Sequence, residues 1–99
     1  MKITLDAIYG NTIIDQMMHS ADLFEPFKVV GRYYQIEMST TKDLSSDQLR
    51  TVLESVKQGL EKTGNSVVFL AVKGCPEISY LKHGVSVVSD GKKWRMFNA

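Results

Sequence analysis

The sequence predicts one α+β domain spanning residues 1–99, with a mixed sheet of five or six strands, one long amphipathic helix and two shorter helices. Three patterns lead to this fold class. Alternating apolar residues near both ends of the chain indicate strands, a capped run at helical spacing indicates the long helix, and a continuous apolar run indicates a central strand. The length of 99 residues suits a single domain with a modest core.

The first elements follow from local spacing. KITLDAIY (2–9) alternates apolar and polar residues and predicts a strand that Gly10 ends. TIIDQMMHSADLF (12–24) carries apolar residues at helical spacing and predicts the first short helix. This helix must end before Pro26, because a proline disfavours the helical conformation of the residue that precedes it.

The segment from Phe27 to Ser39 is open to two interpretations. As a hairpin it would turn at Gly31-Arg32, with glycine at the first central position of a type II′ turn, and as a single strand it would carry a bulge at Gly31. The hairpin is preferred, and it places Tyr34 on the core face. The opposite face is apolar as well, so either the first short helix covers it or a partner does. The candidate partner-binding site near the hairpin tip is Phe24, Val30, Arg32 and Tyr33.

The long helix is the clearest element. In LSSDQLRTVLESVKQGLEKTGN, Ser45 is the predicted N-cap, and Gln48 completes a capping box three residues later. Gly64 stands where a left-handed C-terminal cap belongs. Gly59 lies inside the helix and weakens it by roughly 1 kcal/mol relative to alanine. A close approach of another element would explain a glycine at this position.

Two elements are predicted after the long helix. SVVFLAV (66–72) is continuously apolar, which indicates a strand that is buried on both faces at the centre of the sheet. The next segment predicts a two-turn helix from Pro76 to His83. Proline suits the first helical position, and Gly84 suits the position after the last turn.

The C-terminal segment VSVVSDGKKWRMF predicts a hairpin with a two-residue turn at Asp90-Gly91. This register pairs Val87 with Trp94 and places Trp94 on a core face, against the long helix. A nucleic-acid platform needs the aromatic ring and the positive charge on the same side, so a purely structural hairpin is favoured. The residues that would carry the nucleic-acid alternative are Lys92, Lys93 and Arg95.

The charge and the cysteine content restrict the function classes. The 12 basic and 11 acidic side chains give a formal net charge of +1, which provides no global attraction to nucleic acid or to an anionic membrane. Cys75 is the only cysteine, so no intrachain disulfide is expected. The N-terminal segment lacks an apolar signal core, and the longest apolar run is far too short to span a bilayer. We therefore expect a cytoplasmic protein that does not enter membranes.

The stretch VVFLAVKGCPEI resembles glutaredoxin-like proteins, in which a strand leads to a reactive Cys-Pro at the N-terminus of a helix. In this chain Ile78 occupies the position of the second cysteine, and only 24 residues follow Cys75 in a chain of 99. These departures argue against membership of that family and favour a structural cysteine. A thiol-dependent enzyme or redox sensor at Cys75 is kept as an alternative.

The remaining titratable residues give little support for catalysis. Asp15, His19 and Asp22 share one face of the first predicted helix, at a spacing that suits a divalent metal. No second His or Cys cluster supports them, so a solvated polar face is favoured and no metal site is predicted. The sequence also lacks glycine-rich phosphate loops and the nucleophile motif Gly-x-Ser-x-Gly. We therefore predict no cofactor and no enzymatic activity.

The preferred interpretation is a small, non-catalytic module that binds another protein, and an inhibitor or regulator would fit this size. The first alternative is a nucleic-acid-binding module that uses the C-terminal basic hairpin. Its binding would be weak, because the net charge is only +1. A homodimer formed through the Gly31-Arg32 hairpin is a further option.

Overall fold

A computed structural model of the chain describes residues 1–11 and 32–98. Within these ranges the chain forms six strands and one helix. In chain order they are β1 (Lys2–Asn11), β2 (Arg32–Ser39), α1 (Ser46–Lys62), β3 (Asn65–Val72), β4 (Cys75–Leu81), β5 (Val85–Ser89) and β6 (Trp94–Asn98). The predicted helix over 12–24, with Asp15, His19 and Asp22, lies outside the described residues, as does the first half of the predicted hairpin.

Four strands form an antiparallel sheet in the order β2-β1-β3-β4, and β5 and β6 form a separate antiparallel pair. The predicted single mixed sheet is therefore wrong. A mixed sheet needs at least one pair of parallel neighbours, which are usually joined through a helix. Here α1 connects β2 to β3, but β1 lies between these two strands. The parallel strands therefore do not pair with each other.

The predicted short helix from Pro76 to His83 is also wrong, because these residues belong to β4 and to the turn after it. A tight turn at Gly74, with φ 88°, joins β3 to β4. Ile78 and Tyr80 then alternate with exposed residues and pack on the helix side of the sheet. Proline is tolerated at the start of an edge strand, and Pro76 is the second residue of β4. The predicted fold class with three helices is contradicted, because the described residues form a single helix, α1, and six strands.

Helix α1 confirms the predicted long helix and its caps. The Ser45 hydroxyl accepts a hydrogen bond from the Gln48 amide (3.3 Å), and the Gln48 side chain accepts one from the Ser45 amide (2.9 Å), which completes the capping box. Gly64 adopts φ 88° beyond the end of the helix. A Cβ atom on Gly59 would have nothing within 4 Å, so the close approach expected there is not found in the described part of the chain.

The four-stranded sheet is buried on both faces, and each face belongs to its own core. Helix α1 covers one face, and this helix-side core contains Ile3, Leu5, Ala7, Leu49, Leu53, Val67, Leu70, Val72 and Ile78. The hairpin of β5 and β6 covers the other face, and this hairpin-side core contains Ile8, Val68, Phe69, Ala71 and Val85. Strand β3 contributes to both cores, which confirms the prediction of a central strand buried on two sides.

The C-terminal hairpin has a different register from the predicted one. Ser89 pairs with Trp94 and Val87 pairs with Met96, so the strands are offset by two residues and the loop lengthens to 90–93. An offset of two preserves the faces, because side chains alternate with a period of two. Val87, Trp94 and Met96 accordingly still share one face. That face packs on the side of the sheet opposite α1, so the prediction that Trp94 packs against the long helix is wrong.

Candidate functional site

A buried carboxylate lies between the sheet and the C-terminal hairpin. Asp6 in β1 is only 8% exposed. Its Oδ1 accepts hydrogen bonds from the Tyr33 hydroxyl (2.5 Å) and the Gln35 side-chain amide (3.3 Å). Its Oδ2 accepts a hydrogen bond from the Trp94 indole N–H (3.3 Å). Because the donors belong to β2 and β6, this one side chain links β1 to two other strands.

The partners of Asp6 are themselves held in place. Burial and the hydrogen bond to Asp6 raise the pKa of Tyr33 to about 12. The Trp94 ring packs on Phe69, with ring centroids 4.8 Å apart and an interplanar angle of 46°. All three donors to Asp6 are neutral groups, so the carboxylate orients them as a shared acceptor. The arrangement explains why β6 docks on this face of the sheet, and it uses Asp6 as an anchor.

A cavity of about 250 Å³ opens beside this anchor, and we call it the hairpin cleft. It is lined by Asp6, Tyr33, Gln35, Ala71, Val72, Lys73, Gly74, Pro76, Ser89, Gly91, Lys92, Lys93 and Trp94. Three lysines against one carboxylate give this lining a formal charge of +2. The volume is below the roughly 300–1,000 Å³ of pockets that enclose drug-sized molecules, so the cleft suits a small group.

The loop at the mouth of the hairpin cleft is held by Asp90. Its Oδ1 accepts hydrogen bonds from the amides of Lys93 and Lys92, both at 2.9 Å. These two bonds hold the pKa of the Asp90 carboxyl group below its ordinary value. Its Oδ2 lies 3.7 Å from the Arg95 guanidinium. The loop therefore fixes the backbone of both lysines beside the cleft.

The three residues predicted for the nucleic-acid alternative do not all lie at the same site. Lys92 and Lys93 line the hairpin cleft, whereas Arg95 does not. The sequence prediction separated Lys93 from Trp94 by placing both within the strand, but the longer loop leaves them beside the same cavity. Lys73 joins them from the turn after β3 and was missed. It is a lone lysine before a glycine, and no local pattern indicates that its turn faces the hairpin loop.

The candidate partner-binding site is described in part. Two of its residues lie outside the described ranges: Phe24 and Val30. Arg32 is exposed at the start of β2. Tyr33 is half-buried and donates its hydroxyl to Asp6. Tyr34 was expected on the core face, but it is 39% exposed and stacks on Tyr9 with ring centroids 4.4 Å apart. Tyr33 is thus tied to the interior more closely than the sequence suggested.

Cys75 begins β4 and is half-buried at the margin of the helix-side core. It follows a tight turn, so the helix N-terminus that the glutaredoxin resemblance implies does not lie at this position. Across residues 1–11 and 32–98, no three or more His, Cys, Asp or Glu side chains are grouped so that they could hold a metal ion. The helix in these ranges lacks the length and apolar character that crossing a bilayer requires.

The outer edge of β4 is open in the described part of the chain. Strand β4 ends the sheet order, and no described strand pairs with its far side. The Lys82 amide donates to the Val68 carbonyl at 2.8 Å, so the backbone of Lys82 faces β3. Backbone groups of successive residues in a strand point to opposite sides. Leu81 and Ser79 therefore direct their N–H and C=O groups outward.

The surfaces with unused binding capacity among the described residues include the hairpin cleft and the outer edge of β4, and β2 ends the sheet on its other side. Comparison of the chain with protein-family models, curated proteins and solved structures found no significant match.

Proposed function

We propose that the protein is a non-catalytic binding module, and that it binds an extended segment of a partner protein along the outer edge of β4. The observation that carries this proposal is the pair of outward-facing residues Ser79 and Leu81, which lie in the regular part of the pairing between β4 and β3. Their outward backbone groups meet no strand among the residues that are described. An added strand would exchange main-chain hydrogen bonds with them, which is a common way for a sheet to bind a peptide.

The side chains along this edge specify the chemistry of the partner segment. Leu81 is 44% exposed and offers an apolar contact at one end of the edge. Glu77 is exposed near the other end, where a basic residue on the partner would be favoured as a cross-strand neighbour. Ser79 between them is small and leaves room for a larger side chain. The segment that fits is extended, with an apolar residue opposite Leu81 and a basic residue opposite Glu77.

The residues at both ends of the β4 edge limit the length of the partner segment that can pair with it. Pro76 has no backbone N–H, and Lys82 places a charged side chain where the strand ends. Proline and lysine at these positions are typical of edges that resist uncontrolled pairing. The open stretch is therefore confined to 77–81, which suits one short segment and opposes open-ended association.

Site-specific photo-crosslinking tests the proposal. A photoreactive residue replaces Glu77 in one variant and Thr51, on the exposed side of α1, in a control variant. In native lysate we expect a crosslinked protein at the first position that is missing at the second. Ser79→Pro removes one outward N–H without removing a hydrogen bond to β3, so it should abolish this crosslink. Ser79→Ala keeps the N–H and should preserve it.

Circular dichroism establishes that each variant is folded, and Leu81→Asp replaces Ser79→Pro if the proline variant unfolds. A crosslinked protein that persists equally with the edge-blocking variant would refute the proposal. Crosslinking only to a second copy, together with a dimeric mass in solution, would also refute it, because the edge would then join copies of this chain.

A further inference from the structure

We propose that the hairpin cleft binds a phosphate group. Its ammonium groups come from two separate elements: Lys73 from the turn between β3 and β4, and Lys92 and Lys93 from the loop of the C-terminal hairpin. Two elements that are distant in the sequence thus place positive charge around one cavity. The site lies on the hairpin side of the sheet and does not depend on strand addition at β4.

The charge of the cleft matches this ligand. The lining residues carry a formal charge of +2, and a phosphate monoester carries about −1.5 to −2 near neutral pH. Lysine binds phosphate as a compact point charge. Arg95 is outside the lining and lies 3.7 Å from Asp90. A lining charge of +2 is matched more closely by a phosphate group than by a carboxylate, which carries a single negative charge.

The position of the phosphate follows from Asp6. The two oxygens of this carboxylate already accept three hydrogen bonds, and its charge repels an anion at the floor of the cleft. The phosphate group should therefore lie at the mouth, between Lys73 and the hairpin loop. The backbone of Lys92 and Lys93 is held there by the Asp90 carboxylate, and a preformed loop loses less conformational entropy on binding.

The experiment uses Trp94 as a reporter, since it is the only tryptophan of the chain and lines the cleft. Trp94 fluorescence is titrated with inorganic phosphate, with a nucleoside monophosphate and with a single-stranded oligonucleotide, and with potassium chloride at matched ionic strength. We expect a saturable change with the phosphate compounds and none with chloride. Lys73→Ala and Lys93→Ala should each weaken binding about tenfold, the usual effect of losing a hydrogen bond to a charged group.

Lys62→Ala is the matched control, because Lys62 is exposed in the last turn of α1, on the other side of the sheet. It should bind like the unchanged protein, and thermal melts should show that all variants are folded. Equal affinity for the nucleoside monophosphate and the oligonucleotide would identify a free phosphorylated molecule as the source of the phosphate group. Tighter binding of the oligonucleotide would identify single-stranded nucleic acid as the source. A response that does not saturate, an equal response to chloride, or an equal loss in Lys62→Ala would overturn the proposal.

Discussion

Replacing Asp6 with alanine removes the acceptor that Tyr33, Gln35 and Trp94 share. Asp6 is only 8% exposed, so in the alanine variant water cannot fully replace the carboxylate as a hydrogen-bond acceptor. A hydrogen bond to a charged group contributes about 1.5–3 kcal/mol. The bond from Tyr33, at 2.5 Å, belongs to the upper part of that range, whereas the two bonds at 3.3 Å are weaker. Tyr33 and Trp94 are half-buried, Gln35 is exposed and the three contributions overlap, so we expect Asp6→Ala to lower the free energy of unfolding by about 2–4 kcal/mol.

This loss is large for a small domain, whose free energy of unfolding is typically about 5–15 kcal/mol. It corresponds to a decrease of roughly 10–20 °C in the melting temperature. Urea unfolding followed by far-UV circular dichroism measures it, and the dependence on urea should keep its slope. Asp6→Asn should be intermediate. The asparagine side chain keeps one acceptor oxygen, but its NH₂ group would face a donor that the second carboxylate oxygen of Asp6 now satisfies.

Asp43→Ala is the control, because Asp43 is an exposed acidic residue in the loop before α1. If Asp6→Ala lowers the free energy of unfolding no more than Asp43→Ala does, the anchoring role of Asp6 is refuted. A double-mutant cycle with Tyr33→Phe gives a second test. Residues in direct contact couple by about 0.5–3 kcal/mol, so a coupling energy of zero would show that the bond between Asp6 and Tyr33 does not stabilise the fold.

Three other changes test local features of the structure. Gly59→Ala should raise the free energy of unfolding by about 0.5–1 kcal/mol in urea titrations, because its Cβ would meet nothing within 4 Å; a loss would reveal a contact there. Ser45→Ala should lower it by about 1 kcal/mol, since the Gln48 amide loses its acceptor, and an unchanged value would count against the cap. The pKa of Tyr33 is raised from 10.0 to about 12. The stabilisation of the folded state by the protonated Tyr33 hydroxyl is therefore complete below pH 10 and is lost as the pH rises toward 12. Tyr33→Phe should remove this alkaline decrease, and an unaltered pH profile would exclude Tyr33 as its source.

The elements that could be predicted from the sequence are those whose signals are local. Ser45 and Gln48 lie within one turn, so the capping box and the start of α1 follow from adjacent residues. The continuous apolar run of β3 leaves neither face suited to solvent, so it predicts burial on both faces. The side chains of the C-terminal hairpin also fall on the predicted faces. In each case the pattern constrains the structure without reference to a distant segment.

The features that could not be predicted depend on competition between distant segments. Asp6 stands at a polar position of an alternating strand, and only the second covering layer makes it buried. Pro76 is equally compatible with a helix start and with an edge strand. Pairing with β3 decides between them, because it satisfies the backbone of β4 along one side. Lys73 likewise lines the hairpin cleft only because the C-terminal hairpin loop lies beside its turn.

The length of one loop connects these observations. A two-residue turn at Asp90-Gly91 would have placed Lys93 in β6, on the face opposite Trp94. The longer loop removes Lys92 and Lys93 from the strand pairing, and the Asp90 side chain satisfies both of their amides. The aspartate that suggests a tight turn therefore stabilises a wider one. Since an offset of two residues leaves every side chain on its face, the hairpin-side core would form with either loop, but only the wider loop adds Lys92 and Lys93 to Lys73 beside the hairpin cleft. The proposed binding site is thus a property of this loop and not of the fold class.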